Sequence, residues 1–160
     1  MKRRLLTAFA AILLLTSMML QTAYAALPVV EVYKDPNCGC CTGWIKHLQD
    51  NGFTTNVHNV ADTASYRKKF GIPATLGSCH TATVGGYAIE GHVPAADIKR
   101  LLKEHPTAIG LAVPGMPLGS PGMEAAKKMP YDVLLLKKSE QKTTSSQDVS
   151  QSVFHHYDAD

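Results

Sequence analysis

The chain has 160 residues, 45% of them hydrophobic and 18% charged, which excludes a fibrous, collagenous or globally disordered protein and fits a single domain. Its 16 basic and 13 acidic residues give a formal charge of +3, and Lys2, Arg3 and Arg4 account for that whole excess. The rest of the chain is formally neutral, leaves no basic stripe to track phosphates, and is not expected to bind nucleic acid.

Residues 1–25 read as a secretory signal peptide: the basic Lys2 to Arg4, the apolar Leu5 to Leu20, and the small-x-small site Ala23-Tyr24-Ala25. The mature chain is expected to begin at Ala26, with no membrane span after cleavage. That mature chain is long enough to bury an ordinary core without disulfide staples, so its four cysteines are free for chemistry.

Val29 to Tyr33 is a β-branched and aromatic run ending at the turn formers Asp35-Pro36-Asn37, which predicts a strand entering a loop. Trp44, Ile45 and Leu48 then recur at helical spacing, predicting a helix over Thr42 to Asp50 with Asn51-Gly52 as its stop. Phe53 to Val60 reads as a second strand, and Asp62 caps a short helix through Phe70 that Gly71-Ile72-Pro73 breaks. From Ala74 to Glu90 the residues suit two strands paired through Gly85-Gly86. Pro94 opens a helix that buries Ile98, Leu101 and Leu102 and ends at Pro106. Between Pro106 and Gly122 stand four prolines and four glycines, predicting a long loop without regular structure. Tyr131 to Leu136 resumes as a strand, Ser152 to Tyr157 is suited to pair with it, and the polar stretch between Lys137 and Gln151 reads as an insertion. The expected organisation is a signal peptide over 1–25, one domain over 26–136, and the insertion with a final strand over 137–160.

Cys38, Cys40 and Cys41 fall within four residues, with Cys79 alone further on. A structural disulfide gains stability by closing a long loop, and a bond inside this cluster closes almost none. Cys38 and Cys41 stand three apart at a strand-to-helix junction, where backbone amides and the helix dipole favour thiolate, so they are the candidate catalytic redox pair. The order strand, C-x-x-C, helix, strand, helix, Gly-Ile-Pro resembles thioredoxin-like domains. That resemblance implies an α/β fold with a central mixed sheet flanked by helices and the Pro/Gly-rich loop attached, and sets Pro73 beside the cysteines with a cis peptide.

Cys40 converts C-x-x-C into C-x-C-C, and a disulfide exchanger needs no third thiol. Adjacent Cys40 and Cys41 do not readily bridge each other, and three thiolates this close crowd a single tetrahedral zinc; they suit several soft ions sharing sulfurs, with copper(I) the natural candidate. Cys79 is open to two readings, a fourth sulfur ligand or a small buried hydrophobe. His80 is a further candidate ligand. Met116 and Met123 each end a Pro-Gly-Met triplet in a turn-rich loop, and their thioethers suit copper(I) or fill gaps in a core. His92 sits at a strand end, where an imidazole serves metal, proton transfer or packing. His47, His58 and His105 read as structural, and His155-His156, on opposite faces of a strand, as unsuited to sharing one ion.

Val32 to Cys41, Gly71-Ile72-Pro73, Ser78-Cys79-His80-Thr81-Ala82, Gly86 to Ala95 and Gly110 to Pro117 together resemble the CopG-type family of periplasmic copper proteins over residues 28–136. The resemblance implies a thioredoxin-like fold, several copper ions on the C-x-C-C motif, and a part in copper handling or resistance with a copper redox function. It implies periplasmic location, copper ions and other periplasmic copper-handling proteins as partners, and Cys38, Cys40, Cys41 and Cys79 as sulfur ligands. Two other readings stand beside a copper binder that changes copper's oxidation state: a thiol-disulfide oxidoreductase acting through Cys38 and Cys41, and a passive copper chaperone or store.

Overall fold

The computed structural model describes residues 26–139 and 149–159. The expected signal peptide and the middle of the polar insertion lie outside the described residues. Seven strands form one mixed sheet in the order β2-β1-β3-β4-β5-β6-β7. They are β1 (Val30–Lys34), β2 (Thr55–Asn59), β3 (His80–Val84), β4 (Tyr87–Gly91), β5 (Gly110–Val113), β6 (Tyr131–Lys138) and β7 (Val149–Tyr157). Three helices flank the sheet: α1 (Gly39–Asp50), α2 (Thr63–Lys69) and α3 (Ala95–Glu104). β1 pairs parallel with β2 and antiparallel with β3, and β4 pairs antiparallel with β3 and parallel with β5. This is a thioredoxin-like α/β fold.

Alternation along the central strands divides the core in two. Val30, Val32, Ala82, Val84, Ile89, Leu111 and Val113 pack against Trp44, Ile45 and Leu48 of α1 and Ile98 and Leu101 of α3. On the other face Ala88, Ala112 and Leu136 meet Ile72 and Leu76, on the side of α2. The opposed neighbours Ala88 and Ile89, or Leu111 and Ala112, belong to different halves, as a sheet covered on both faces requires.

Several boundaries differ from the sequence reading. Helix α1 begins at Gly39, three residues before the expected Thr42, because Cys38 caps it through sulfur. The Pro106 to Gly122 stretch is not wholly irregular, since Gly110–Val113 is an interior strand buried at all four positions. Ala74–Leu76 forms a 3-10 turn, so the expected hairpin starts at His80. The polar insertion is shorter than expected, because β6 runs to Lys138 and β7 starts at Val149, the two pairing with a bulge between Val133 and Leu134. The Pro73 peptide is trans, and no described residue has a cis peptide. The chain instead reverses at Gly71, whose φ of +77° is open to glycine, and Pro73 enters the 3-10 turn by accepting the Leu76 amide at 3.0 Å.

Candidate metal centre

The loop from β1 to α1 places the cysteine cluster at the end of the first helix. The Asp35 carboxylate accepts the Asn37 amide at 2.7 Å and its carbonyl accepts the Cys38 amide at 3.1 Å, which turns the chain into the helix. Cys38 is the N-cap, its Sγ accepting the Cys41 amide at 3.3 Å. Cys38 and Cys41 are joined by a disulfide across a Cα separation of 5.4 Å, and Cys40 and Cys79 are free. Cys41 is fully buried under the helix, while Cys38 and Cys40 are half-buried. The Cys40 Sγ stands 3.5 Å from that of Cys38, and all three sulfurs lie within 4.8 Å of one another.

Cys79 arrives from the lead into β3. The Asp35 amide donates to its carbonyl at 3.5 Å, tying it to the cluster loop. From behind, the buried carboxylate of Glu90 accepts the Ser78 amide at 2.6 Å, the Ser78 hydroxyl at 2.9 Å and Arg67 Nε at 3.0 Å, all on one oxygen. Arg67 also donates to the Ser78 carbonyl at 2.6 Å. This buried ion pair fixes the residue before Cys79 from both its amide and its carbonyl. Burial first, and then the charges of Cys40 and Asp35, push the Cys79 thiol above its ordinary value.

The thioethers complete the cavity. Met116 Sδ lies 3.8 Å from Cys79 Sγ, and Met116 is held at φ +49°, a left-handed conformation unusual for a long side chain. Gly122 has φ +84° and packs so closely on α1 that a Cβ there would stand 2.6 Å from both the Cys40 carbonyl and the Trp44 amide. Only glycine fits, and the contact draws Met123 up to the cysteines. Asp35, Asn37, Cys38, Gly39, Cys40, Thr63, Cys79, Met116 and Met123 line one open cavity of about 550 Å³. Larger cavities of about 660 and 640 Å³ lie elsewhere, but neither gathers cysteines, so donor chemistry and not volume identifies the site.

The candidate residues thus divide. Cys38, Cys40, Cys79, Met116 and Met123 share the cavity, with Cys41 just beneath it as the disulfide partner of Cys38. Pro73 does not line it. His80 points into the core, fully buried and stacked on Trp44 at 4.4 Å between ring centroids. His47 accepts the Ala95 amide at 3.0 Å, His58 pairs with Glu31, and His105 closes α3, all structural as expected. His155 and His156 diverge, the first to Asp97 at 2.8 Å and the second to Asp132 at 2.6 Å. The sequence reading missed Arg67 and Glu90; the signal was a carboxylate inside the apolar run Ala88-Ile89-Glu90-Gly91.

Chemically, the cavity gathers sulfur donors of two kinds, thiol and thioether, a set that suits copper(I), beside a single carboxylate, Asp35, which is too few oxygens for a hard cation. Among the described residues no helix is long and apolar enough to cross a membrane. No curated protein matches the chain. A family model described as "Protein of unknown function, DUF411" matches residues 76–123, which contain Cys79, His80, His92, Met116 and Met123. Two solved structures of a copper resistance protein, copG forms 1 and 2, are similar to this chain at 42% identity and a TM-score of 0.72. Each match covers 82% of this chain and 98% of the other.

Proposed function

Because this chain belongs to the family of the copper resistance protein CopG, we propose that it binds several copper(I) ions on its cysteine cluster and exchanges electrons with copper through Cys38 and Cys41. The convergence of three cysteine sulfurs within 4.8 Å carries this reading. Cys38, Cys40, Cys41 and Cys79 are the thiolate ligands, with Met116 and Met123 supplying thioethers from the Pro-Gly-Met loop. Soft sulfur favours copper(I), and adjacent thiolates bridge metals more readily than they enclose one.

The redox step needs no outside reactant beyond copper. Two thiolates, Cys38 and Cys41, give up one electron each and join as a disulfide, while two copper(II) ions become two copper(I) ions. Starting from thiols, two protons leave as well. Cys40 and Cys79, together with the two methionines, hold the copper(I) produced. Run backwards, the disulfide oxidises copper(I), and the relative potentials of the two couples choose the direction. The geometry of the pair supports this reading, since the disulfide spans the first turn and leaves Cys40 and Cys79 free. The setting is the periplasm, reached through the signal peptide expected over residues 1–25, and copper-handling proteins there are the expected partners.

The same dithiol supports the second reading, a thiol-disulfide oxidoreductase, which leaves Cys40 without a part. An anaerobic copper(I) titration of the reduced protein, read as metal per chain beside a zinc control, separates the two. Several coppers per chain, falling when Cys40 is replaced by serine, are expected. A single zinc in preference to copper, or unchanged copper in Cys40→Ser, would overturn the cluster and return the dithiol to first place.

A further inference from the structure

Two imidazoles lie buried in the core, and the proposed copper chemistry of the cluster uses neither. His80, the first residue of β3, is fully buried against Trp44, and its Nε2 bonds the Gly91 carbonyl at 3.0 Å. His92, just past β4, is also fully buried, and its Nδ1 bonds the Pro121 carbonyl at 2.7 Å. A carbonyl only accepts, so each of these nitrogens carries the hydrogen and the other nitrogen of each ring is a bare lone pair. Those two atoms, His80 Nδ1 and His92 Nε2, are shielded from solvent and have no hydrogen-bond partner. The rings meet edge to face with centroids 5.1 Å apart.

Buried acceptors without partners are uncommon, and two in touching rings call for an occupant. A ring nitrogen pinned to a backbone carbonyl while its opposite nitrogen stands bare is the arrangement that orients metal-ligating histidines. Two nitrogen donors suffice for a linear monovalent d10 cation, whereas zinc takes four ligands and a hard cation six or more oxygens.

We propose that His80 Nδ1 and His92 Nε2 form a buried two-nitrogen site for a monovalent d10 cation, copper(I) in the cell, distinct from the thiolate cluster. His80 follows Cys79 directly in the chain, and Cys79 lines the cysteine cavity while His80 is turned into the core. The choice of copper rests on the proposed function, but the site needs no thiolate, and that permits a separate test.

The test uses a protein carrying Cys40→Ser and Cys79→Ser with the Cys38–Cys41 disulfide closed, which has no free thiolate. The probe is silver(I), which has copper(I)'s filled d shell but does not donate an electron to the disulfide. Silver per chain is measured after gel filtration, and the imidazole nitrogens are observed by 15N NMR. One silver per chain is expected, moving the His80 Nδ1 and His92 Nε2 signals while Nε2 of His80 and Nδ1 of His92 stay protonated. Adding His80→Phe or His92→Phe should weaken retention at least tenfold, whereas Met116→Leu with Met123→Leu should not. The single tryptophan, Trp44, reports through its emission whether each variant is folded. Should a phenylalanine variant fail to fold, the nitrogen spectra of the serine protein decide alone. No retained silver, or silver that leaves those two nitrogens unmoved, overturns the site. That result, alongside several coppers per reduced wild-type chain, would remove the inner site and leave the proposed function standing.

Discussion

Acidification of the copper-free protein should destabilise it through His80, by an amount that depends on its burial. The folded value is pushed down to about 3 by desolvation and then by His92, against 6.5 for a free imidazole. The unfolded chain therefore takes up the proton first. The contribution is complete above about 6.5 and is lost as the pH falls from there towards 3. At about 1.4 kcal/mol per pH unit for a single site, moving from pH 7 to pH 5 removes about 2 kcal/mol, since the free imidazole becomes almost fully charged and the buried one does not. His47 and His92 are also lowered by burial and act in the same direction, so the His80 share is isolated with His80→Phe. Phenylalanine keeps a ring against Trp44, and the Gly91 carbonyl retains the Val93 amide at 2.9 Å, so the variant orphans no acceptor there. Urea unfolding of both proteins at pH 7 and pH 5, with chelator present and the disulfide intact, measures the difference. Wild type should lose about 2 kcal/mol more than the variant over that interval. Equal losses would mean that His80 is already charged, or solvated, in the folded protein, and would refute the reasoning.

Gly122→Ala should lower stability by about 3 kcal/mol, combining the left-handed backbone penalty with a Cβ driven into α1, whereas Gly115→Ala, equally left-handed with nothing within 4 Å, should lose only about 1–2 kcal/mol; thermal melts of the pair compare them. Arg67→Met should cost about 3–5 kcal/mol by leaving the fully buried Glu90 uncompensated, and should also speed alkylation of Cys79 by freeing Ser78. Adding Glu90→Leu should recover most of the stability in chemical denaturation but not the original alkylation rate. Met116→Asn, which tolerates the φ of +49° better, should hold copper-free stability within about 1 kcal/mol of wild type while weakening copper(I) in a competition titration with a chromogenic chelator.

Local signals were the legible ones. Strand β1, the turn after it, the Asp62 cap of α2 and the Pro94 entry to α3 all carry short-range signatures, and the structure has each of them. The start of α1 was displaced because its cap is a cysteine sulfur, outside the Ser, Thr, Asp and Asn set that marks an N-terminus. Strand β5 escaped because its four residues are buried on both faces and so show no alternation, and glycine and proline on either side read as loop. Cys38, Cys40 and Cys41 announced themselves by adjacency. The nearness of Cys79 to Met116, 37 positions apart, has no local signature and was not foreseen; only the place of Cys79 with the other three cysteines entered, through the resemblance. The Arg67 and Glu90 pair joins a helix to a strand across 23 positions, and nothing in either segment names the other.

Three of the four thiols sit within one helical turn, and that clustering has a consequence for how copper acts on the protein's melting. A denatured chain still carries Cys38, Cys40 and Cys41 within four residues, so it keeps much of its capacity for soft metal once reduced. Metal that binds the unfolded ensemble stabilises the native one only by the difference between the two affinities. On the proposed ligand set that difference would come from Cys79, Met116 and Met123, which reach the cluster only after β3, the Arg67 and Glu90 pair, and the Gly122 contact are in place. Tight copper binding of the proposed kind would therefore be compatible with a small rise in melting temperature, and a chain not yet folded would already hold its first ion.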